Sequence, residues 1–291
     1  MTVAFRLAPL PGPFGQEVLD IDVADLGDED LRSLLTTLYE NRFLVLRTGG
    51  LQADEYLAFA RRIGIPIALS PGAEHPEIAV MDNRNVDRQK EKRGPAHWHS
   101  DQSFRSRRAS VTMLFCSRAP REGGETRFCD LAGAYAALSD TMKARIDDLT
   151  VIHRHGVSVA ARPGDHTPIP PPNWDQTRTV HHPLVLTHPV SGVKTLYAIS
   201  GTSQGIVGMS PEAGTALLQE LCEHAFQDRF VTSHRHRQHD ITMWDNPTSL
   251  HSATPMPAAN GEDNLREVHR ISLVGDPPVF GMDSLHPASR V

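Results

Sequence analysis

Cysteine is scarce in this chain of 291 residues: Cys116, Cys129 and Cys222 are the only three. They form no C-x-x-C pair and no even set, which excludes a disulfide framework and suits a reducing compartment with the thiols used as small core hydrophobes. Long apolar runs are also missing. No stretch approaches the roughly 18 residues of a membrane span. The N-terminal MTVAFRLAPLPGPFG places an arginine and three prolines where a secretory leader needs an unbroken apolar run. Basic stripes are missing too, at a formal net charge of −6. Arg61-Arg62 and the RRASV stretch at 107–111 are too short to mark a nucleic-acid surface. Neither repeats nor low-complexity linkers occur. With 39% hydrophobic residues the chain can fill one sizeable core. The expectation is a cytoplasmic protein folding as one domain over 1–291, without nucleic-acid or membrane partners.

Periodicity then gives a coarse map. Asp28 is placed to cap a helix whose Leu31, Leu34, Leu35 and Leu38 recur at helical spacing. Phe43–Leu46 reads as a strand, and a second helix spans about Ala53 to Ile63, stopped by Gly64. From Glu77 onward short β-type runs succeed one another: Ile78–Met81, Val111–Cys116, Thr126–Cys129, Pro183–Leu186, Thr195–Ala198, Phe230–Ser233, Ile241–Trp244 and Val268–Val274. Two helices interrupt them, about Ala134–Leu149 and one opening at Ser210-Pro211 with Leu217, Leu218, Leu221 and Cys222 on one side. The Pro-, Asp- and Thr-rich stretch over 162–178 reads as a long loop able to act as a lid. The pattern predicts a mainly β domain with helices packed outside it.

Sixteen histidines are many for this length, and the densest group is His97-Trp98-His99-Ser100-Asp101. In a strand, residues 97, 99 and 101 share one face, with neighbours roughly 7 Å apart. Two such neighbours can reach one metal ion, whereas three in a row span roughly 13 Å and cannot. The group therefore supplies at most two ligands, and a third must come from elsewhere. Two histidines and a carboxylate form the facial triad of non-haem iron(II) oxygenases; a lone His-x-Asp in a strand is more often surface chemistry with no metal. Arg266 and Arg270 raise a second question. In a strand over 266–274 they share a face with Val268, while Ile271 and Leu273 point the other way. Either the arginines face solvent or they lie inside, where guanidinium groups need anions to pair with.

WHSDQSF (98–104) followed by GGETRFCD (123–130) resembles the taurine and 2,4-dichlorophenoxyacetate dioxygenase family. The resemblance continues, in order, through HHPLVLTHPVSGVKTLY (181–197), DITMWDNPTSLHSAT (240–254) and LREVHRISLVGD (265–276). It implies a double-stranded β-helix (jelly roll, cupin-like) and an enzyme using iron(II), 2-oxoglutarate and dioxygen. By motif it implies His99, Asp101 and His251 as the iron ligands, with His97 a neighbour. Thr126 and Arg266 would hold 2-oxoglutarate, and Arg270 would meet an acidic group of the substrate. His188, His234, His236, His239 and His269 lie outside the motifs and read as structural or solvated. The stretch Ala258–Asn264 lengthens the family's link and reads as a surface turn. Family members are commonly dimers or tetramers, which implies a homo-oligomer.

The substrate is implied only as small and anionic. The taurine enzymes have an asparagine four places before the first iron-binding histidine, where Pro95 stands here, and no tyrosine falls between Tyr56 and Tyr135. Both points argue against taurine, and the HWHSDQSF (97–104) and LREVHR (265–270) segments, closer to the phenoxyacetate enzymes, favour an aryloxyalkanoate, with alkyl sulfates, other sulfonates and a biosynthetic intermediate left open. Two rival readings remain open: a zinc hydrolase built on the same three residues, and a non-catalytic jelly-roll binding protein.

Overall fold

The computed structural model describes residues 4–84, 97–156 and 177–281. Pro95 and the expected lid, apart from Thr177 and Arg178, lie outside the described residues. Leu31, Leu34, Leu35 and Leu38 are all buried on α1 (Asp28–Asn41). Its N-cap is Gly27, not the expected Asp28. Asp28 sits in the first turn, where a carboxylate faces the helix's free N–H groups, and pairs with Arg62 at 2.9 Å. The second helix, α2 (Ala53–Ile63), opens with a reciprocal Gln52–Glu55 capping box and ends at Gly64.

Both helices cover one face of an eight-stranded sheet. Its order is β1 (Arg6–Pro9), β2 (Gln16–Leu19), β3 (Phe43–Arg47), β14 (Asp240–Asp245), β6 (Val111–Arg118), β16 (Glu267–Val274) and β4 (Ile65–Pro66), with β5 (Ala79–Asp82) also paired to β16. Period-2 alternation sorts its side chains. Leu44, Leu46, Val111, Met113, Phe115, Ile241, Met243, Ile271 and Leu273 pack against the helices. The opposite face carries Phe43, Val45, Leu114, Cys116, Trp244 and Val268, which meet Phe128 of a second sheet. That sheet is β13 (Val231–His234), β7 (Thr126–Asp130) and β15 (Ser249–Ala253). Two β layers closed over a shared interior are the jelly roll the sequence implied. Each fully buried Leu or Phe there contributes on the order of 1.5–3 kcal/mol.

A separate core lies under β8 (Thr150–Arg154), β9 (Thr179–Pro183), β10 (Leu186–Thr187), β11 (Lys194–Thr195) and β12 (Ser203–Ile206). The expected strands 183–186 and 195–198 are corrected here: Pro183 ends one strand, and only Leu186–Thr187 and Lys194–Thr195 form a short ladder. The expected helix 134–149 is two helices, α3 (Leu131–Ala136) and α4 (Asp140–Ile146), because Ser139 caps a new start through its Oγ and the Met142 N–H. The helix expected at Ser210-Pro211 is α5 (Pro211–Ala225), with Ser210 as cap and Leu217, Leu218, Leu221 and Cys222 buried.

Candidate active site

The segment 97–101 is not a strand, which corrects the shared-face expectation. His99 makes one antiparallel bridge with His251 of β15, through His99 N–H to His251 C=O (3.0 Å) and the reverse (2.9 Å). The chain then turns, with Gln102 at φ 58°, and the turn returns Asp101 to the two histidines. Nε2 of His99 lies 3.9 Å from Asp101 Oδ1, and Nε2 of His251 lies 3.9 Å from Oδ2. The three ligand atoms fall within 4.8 Å of one another. At that spacing none hydrogen-bonds another. A cation held by all three would draw them closer together. His97 stays a neighbour: its carbonyl accepts from His99 Nδ1 at 3.1 Å, leaving Nε2 with a free lone pair.

Asp101 is fixed by residues the sequence did not mark. Thr112, on the interior face of β6, donates to Asp101 Oδ2 at 2.7 Å. Asn246 donates through Nδ2 to Thr112 Oγ1 (3.0 Å) and accepts the Asp101 N–H on Oδ1 (3.1 Å). The asparagine of the WDN motif thus orients a residue 145 positions away. The motif's aspartate, Asp245, accepts from the N–H and hydroxyl of Thr248 and sits 3.3 Å from His188, which is structural as expected. This turn starts β15 and so places His251, whose ring packs 4.6 Å from that of Trp244.

Burial, joined by mutual repulsion, pushes His99 down to about 3, and burial pushes His251 down to about 4 despite the nearby Asp101 carboxylate. Burial alone would raise Asp101, but His251, Arg270, His99 and the Thr112 hydroxyl together bring it down to about 2. At neutral pH the site thus holds two neutral imidazoles and one carboxylate, the protonation state that metal binding requires. This donor set, all on one side, fits iron(II).

The cosubstrate candidates lie on the same interior. On the β7–β15 ladder His251 pairs with Phe128 and Ala253 with Thr126, so Thr126 is two residues, about 7 Å, from the level of His251. Arg266 directly precedes β16, and its backbone exchanges hydrogen bonds with Asn83: N–H to Oδ1 at 2.9 Å, and Asn83 N–H to its carbonyl at 3.3 Å. Its Nε donates to the Gly124 carbonyl at 3.2 Å. Gly124 (φ +72°) is required: a Cβ there would stand 2.8 Å from Arg266 Cδ and 2.6 Å from Met256 Sδ. Burial lowers the Arg266 pKa, and no carboxylate among the described residues lies within ion-pair distance of it. Val268 is fully buried in the interior while Ile271 and Leu273 face the helices, as the alternation required. Arg270 Nη1 stands 3.7 Å from Asp101 Oδ1, and its buried Nε has no hydrogen-bond partner among the described residues. Ala258–Asn264 is a largely exposed link whose base is pinned by Asn83 Nδ2 to the Pro257 and Asn264 carbonyls. His269 meets Glu267 near the surface; His236 lies buried against Thr126 instead.

Known proteins resemble this chain over most of its length. The chain is 33% identical over 267 residues to an alpha-ketoglutarate-dependent 2,4-dichlorophenoxyacetate dioxygenase of Cupriavidus pinatubonensis, covering 84% of this chain and 90% of that one. A taurine dioxygenase from Burkholderia xenovorans superposes with a TM-score of 0.76 at 26% identity, over 94% and 92% of the two chains. AAD-2, solved with Mn(II) and N-oxalylglycine, gives 0.76 at 28% identity over 96% and 100%. The profile of the taurine catabolism dioxygenase TauD, TfdA family matches residues 6–272, which include every candidate site residue, and the chain belongs to that family of iron(II)- and 2-oxoglutarate-dependent dioxygenases.

Proposed function

We propose that His99, Asp101 and His251 hold iron(II), that Thr126 and Arg266 seat the distal carboxylate of 2-oxoglutarate, and that Arg270 meets an acidic group on a small substrate of the aryloxyalkanoate kind. The observation that carries the reading is a pairing of opposites on one interior face. An ionised Asp101 stands between two neutral imidazoles, and a desolvated Arg266 has no protein counter-ion among the described residues. A buried guanidinium is costly without an anion and suits bidentate carboxylate recognition. With dioxygenases as the relatives, the zinc-hydrolase and non-catalytic readings are set aside.

When bound, iron(II) supplies the centre at which dioxygen is reduced and 2-oxoglutarate is oxidatively decarboxylated to succinate. The protein's residues do the positioning. Thr112 and Asn246 aim the Asp101 carboxylate, the His97 carbonyl fixes the His99 ring, and Arg266 sets the far end of the cosubstrate. Arg270, 3.7 Å from Asp101, offers positive charge beside the metal and orients an anionic substrate with its target C–H inward. Hydroxylation at a carbon bearing oxygen or sulfur gives a product that collapses to an aldehyde or oxoacid with cleavage of that C–O or C–S bond. The name of the 33%-identical relative supports the aryloxyalkanoate choice over taurine. The reading extends to a one-domain cytoplasmic homo-oligomer with neither nucleic acid nor membrane as partner. Its three cysteines are buried and none is in a disulfide, and among the described residues no helix is long and apolar enough to cross a membrane.

The test is a panel of aryloxyalkanoates, alkyl sulfates and taurine, scored by succinate release with iron(II), 2-oxoglutarate and dioxygen. Release above background with an aryloxyalkanoate and none with taurine supports the reading. Stimulation by taurine alone overturns the substrate class.

A further inference from the structure

His236 was expected to be structural or solvated, yet its ring links two interior hydroxyls. Nε2 lies 2.8 Å from Thr126 Oγ1, and Nδ1 lies 3.1 Å from Thr242 Oγ1. All three residues are buried. We propose that His236 is a positioning residue for the cosubstrate: it joins Thr242 to Thr126 in a directed hydrogen-bond relay that turns the Thr126 hydroxyl proton toward the distal carboxylate of 2-oxoglutarate. The inference rests on the reading that Thr126 and Arg266 seat that carboxylate.

The direction follows from what each group can do. A neutral imidazole donates from one nitrogen and accepts at the other. If Thr242 donates to Nδ1, Nε2–H donates to Thr126 Oγ1, and the Thr126 proton is left to point elsewhere. If the relay runs the other way, Thr126 spends its proton on Nε2 and presents only lone pairs to its other neighbours. A carboxylate accepts and cannot donate, so an anion beside Thr126 is compatible only with the first arrangement. Burial and then the Arg266 charge hold the imidazole pKa well below its usual value, which keeps the ring in the neutral, directional form. Arg266 supplies charge to the same carboxylate, and the relay adds a charge-assisted donor of fixed direction, the stronger kind of hydrogen bond. The ring also borders a cavity of about 570 Å³ lined by Arg47, His234 and Arg237, so a side chain of similar size has room to settle there.

Calorimetric titration of Mn(II)-loaded protein without oxygen reads the effect directly. The ligands are 2-oxoglutarate and pyruvate, which keeps the 2-oxoacid end and lacks the distal carboxylate. His236→Leu is expected to weaken 2-oxoglutarate about tenfold and leave pyruvate unchanged, while His236→Gln, which keeps a donor for Thr126, recovers most of the loss. Thr126→Val should weaken 2-oxoglutarate similarly, and the double variant no further than either single one. Normal 2-oxoglutarate affinity in His236→Leu alongside a weakened Thr126→Val overturns the relay. So does an equal loss for both ligands, which marks a merely structural role. Normal 2-oxoglutarate binding in both Thr126→Val and Arg266→Ala overturns the carboxylate seat itself, a separate failure with its own signature.

Discussion

The two ends of the barrel interior are built on opposite deficits. At one end the protein supplies the anion, Asp101, held at about 2 between imidazoles that burial keeps neutral. At the other it supplies the cation, Arg266, with hydrogen-bonding partners but no carboxylate among the described residues. Asp101 already has the Arg270 guanidinium at 3.7 Å, whereas the burial of Arg266 is unfavourable until an anion arrives. The difference lies in support. Asp101 is gripped by Thr112 and, through its backbone, by Asn246, so this end is pre-set by strand β6 and the turn that follows β14. Arg266 rests on a loop carbonyl made reachable by a glycine, and its backbone on one asparagine side chain.

The sharpest way to break this comparison is to remove the anion. Asp101→Ala, like His99→Ala, should reduce iron-dependent succinate formation to the level of metal-free protein; normal succinate yield in either variant would end the triad assignment. Removing the cation is the second test. Arg266→Ala should raise the 2-oxoglutarate requirement about a hundredfold, and an unchanged KM refutes the seat. Smaller still is the loss of support at the metal end: Thr112→Val should cost roughly tenfold in metal affinity, measured by Mn(II) titration, with the fold intact by circular dichroism.

A separate test concerns acid. His99 and His234 are held near 3, and His182 and His251 near 4, against 6.5 in the unfolded chain, chiefly by burial. Unfolded histidines therefore take up protons first. The stability tied to keeping these four neutral is complete above pH 6.5 and is lost progressively as pH falls through about 4 and then 3. The Tm of metal-free protein should fall over that window. Metal loading should reduce the His99 and His251 share only; an unchanged Tm from pH 7 to pH 4 contradicts the burial argument.

Legibility in the sequence followed how local the cause was. The helix at Ser210-Pro211 and the leucine face of α1 were readable because cap and periodicity lie within a few residues of each other. The burial of Val268 opposite Ile271 followed from period-2 alternation. The break at Ser139 was missed because a strong N-cap stood inside a run that periodicity treated as continuous. At the site, motif order reached His99, Asp101 and His251, but the strand argument for them failed. Asp101 joins the histidines through a turn, and turn geometry at Gln102 leaves no periodic trace. Thr112, Asn246 and His236 act through contacts 11, 134 and 110 residues away, which a single chain read in order does not display.

Strand β16 has a metric consequence. Arg270 and the position of Arg266 are four residues apart, about 13 Å of extended chain. That stretch is laced to β6 and β5 and clamped at its start by Asn83. A ladder of this kind neither stretches nor shortens, so on the proposed roles it works as a gauge. It sets how far apart the acidic group of the substrate and the distal carboxylate of the cosubstrate are held along one strand.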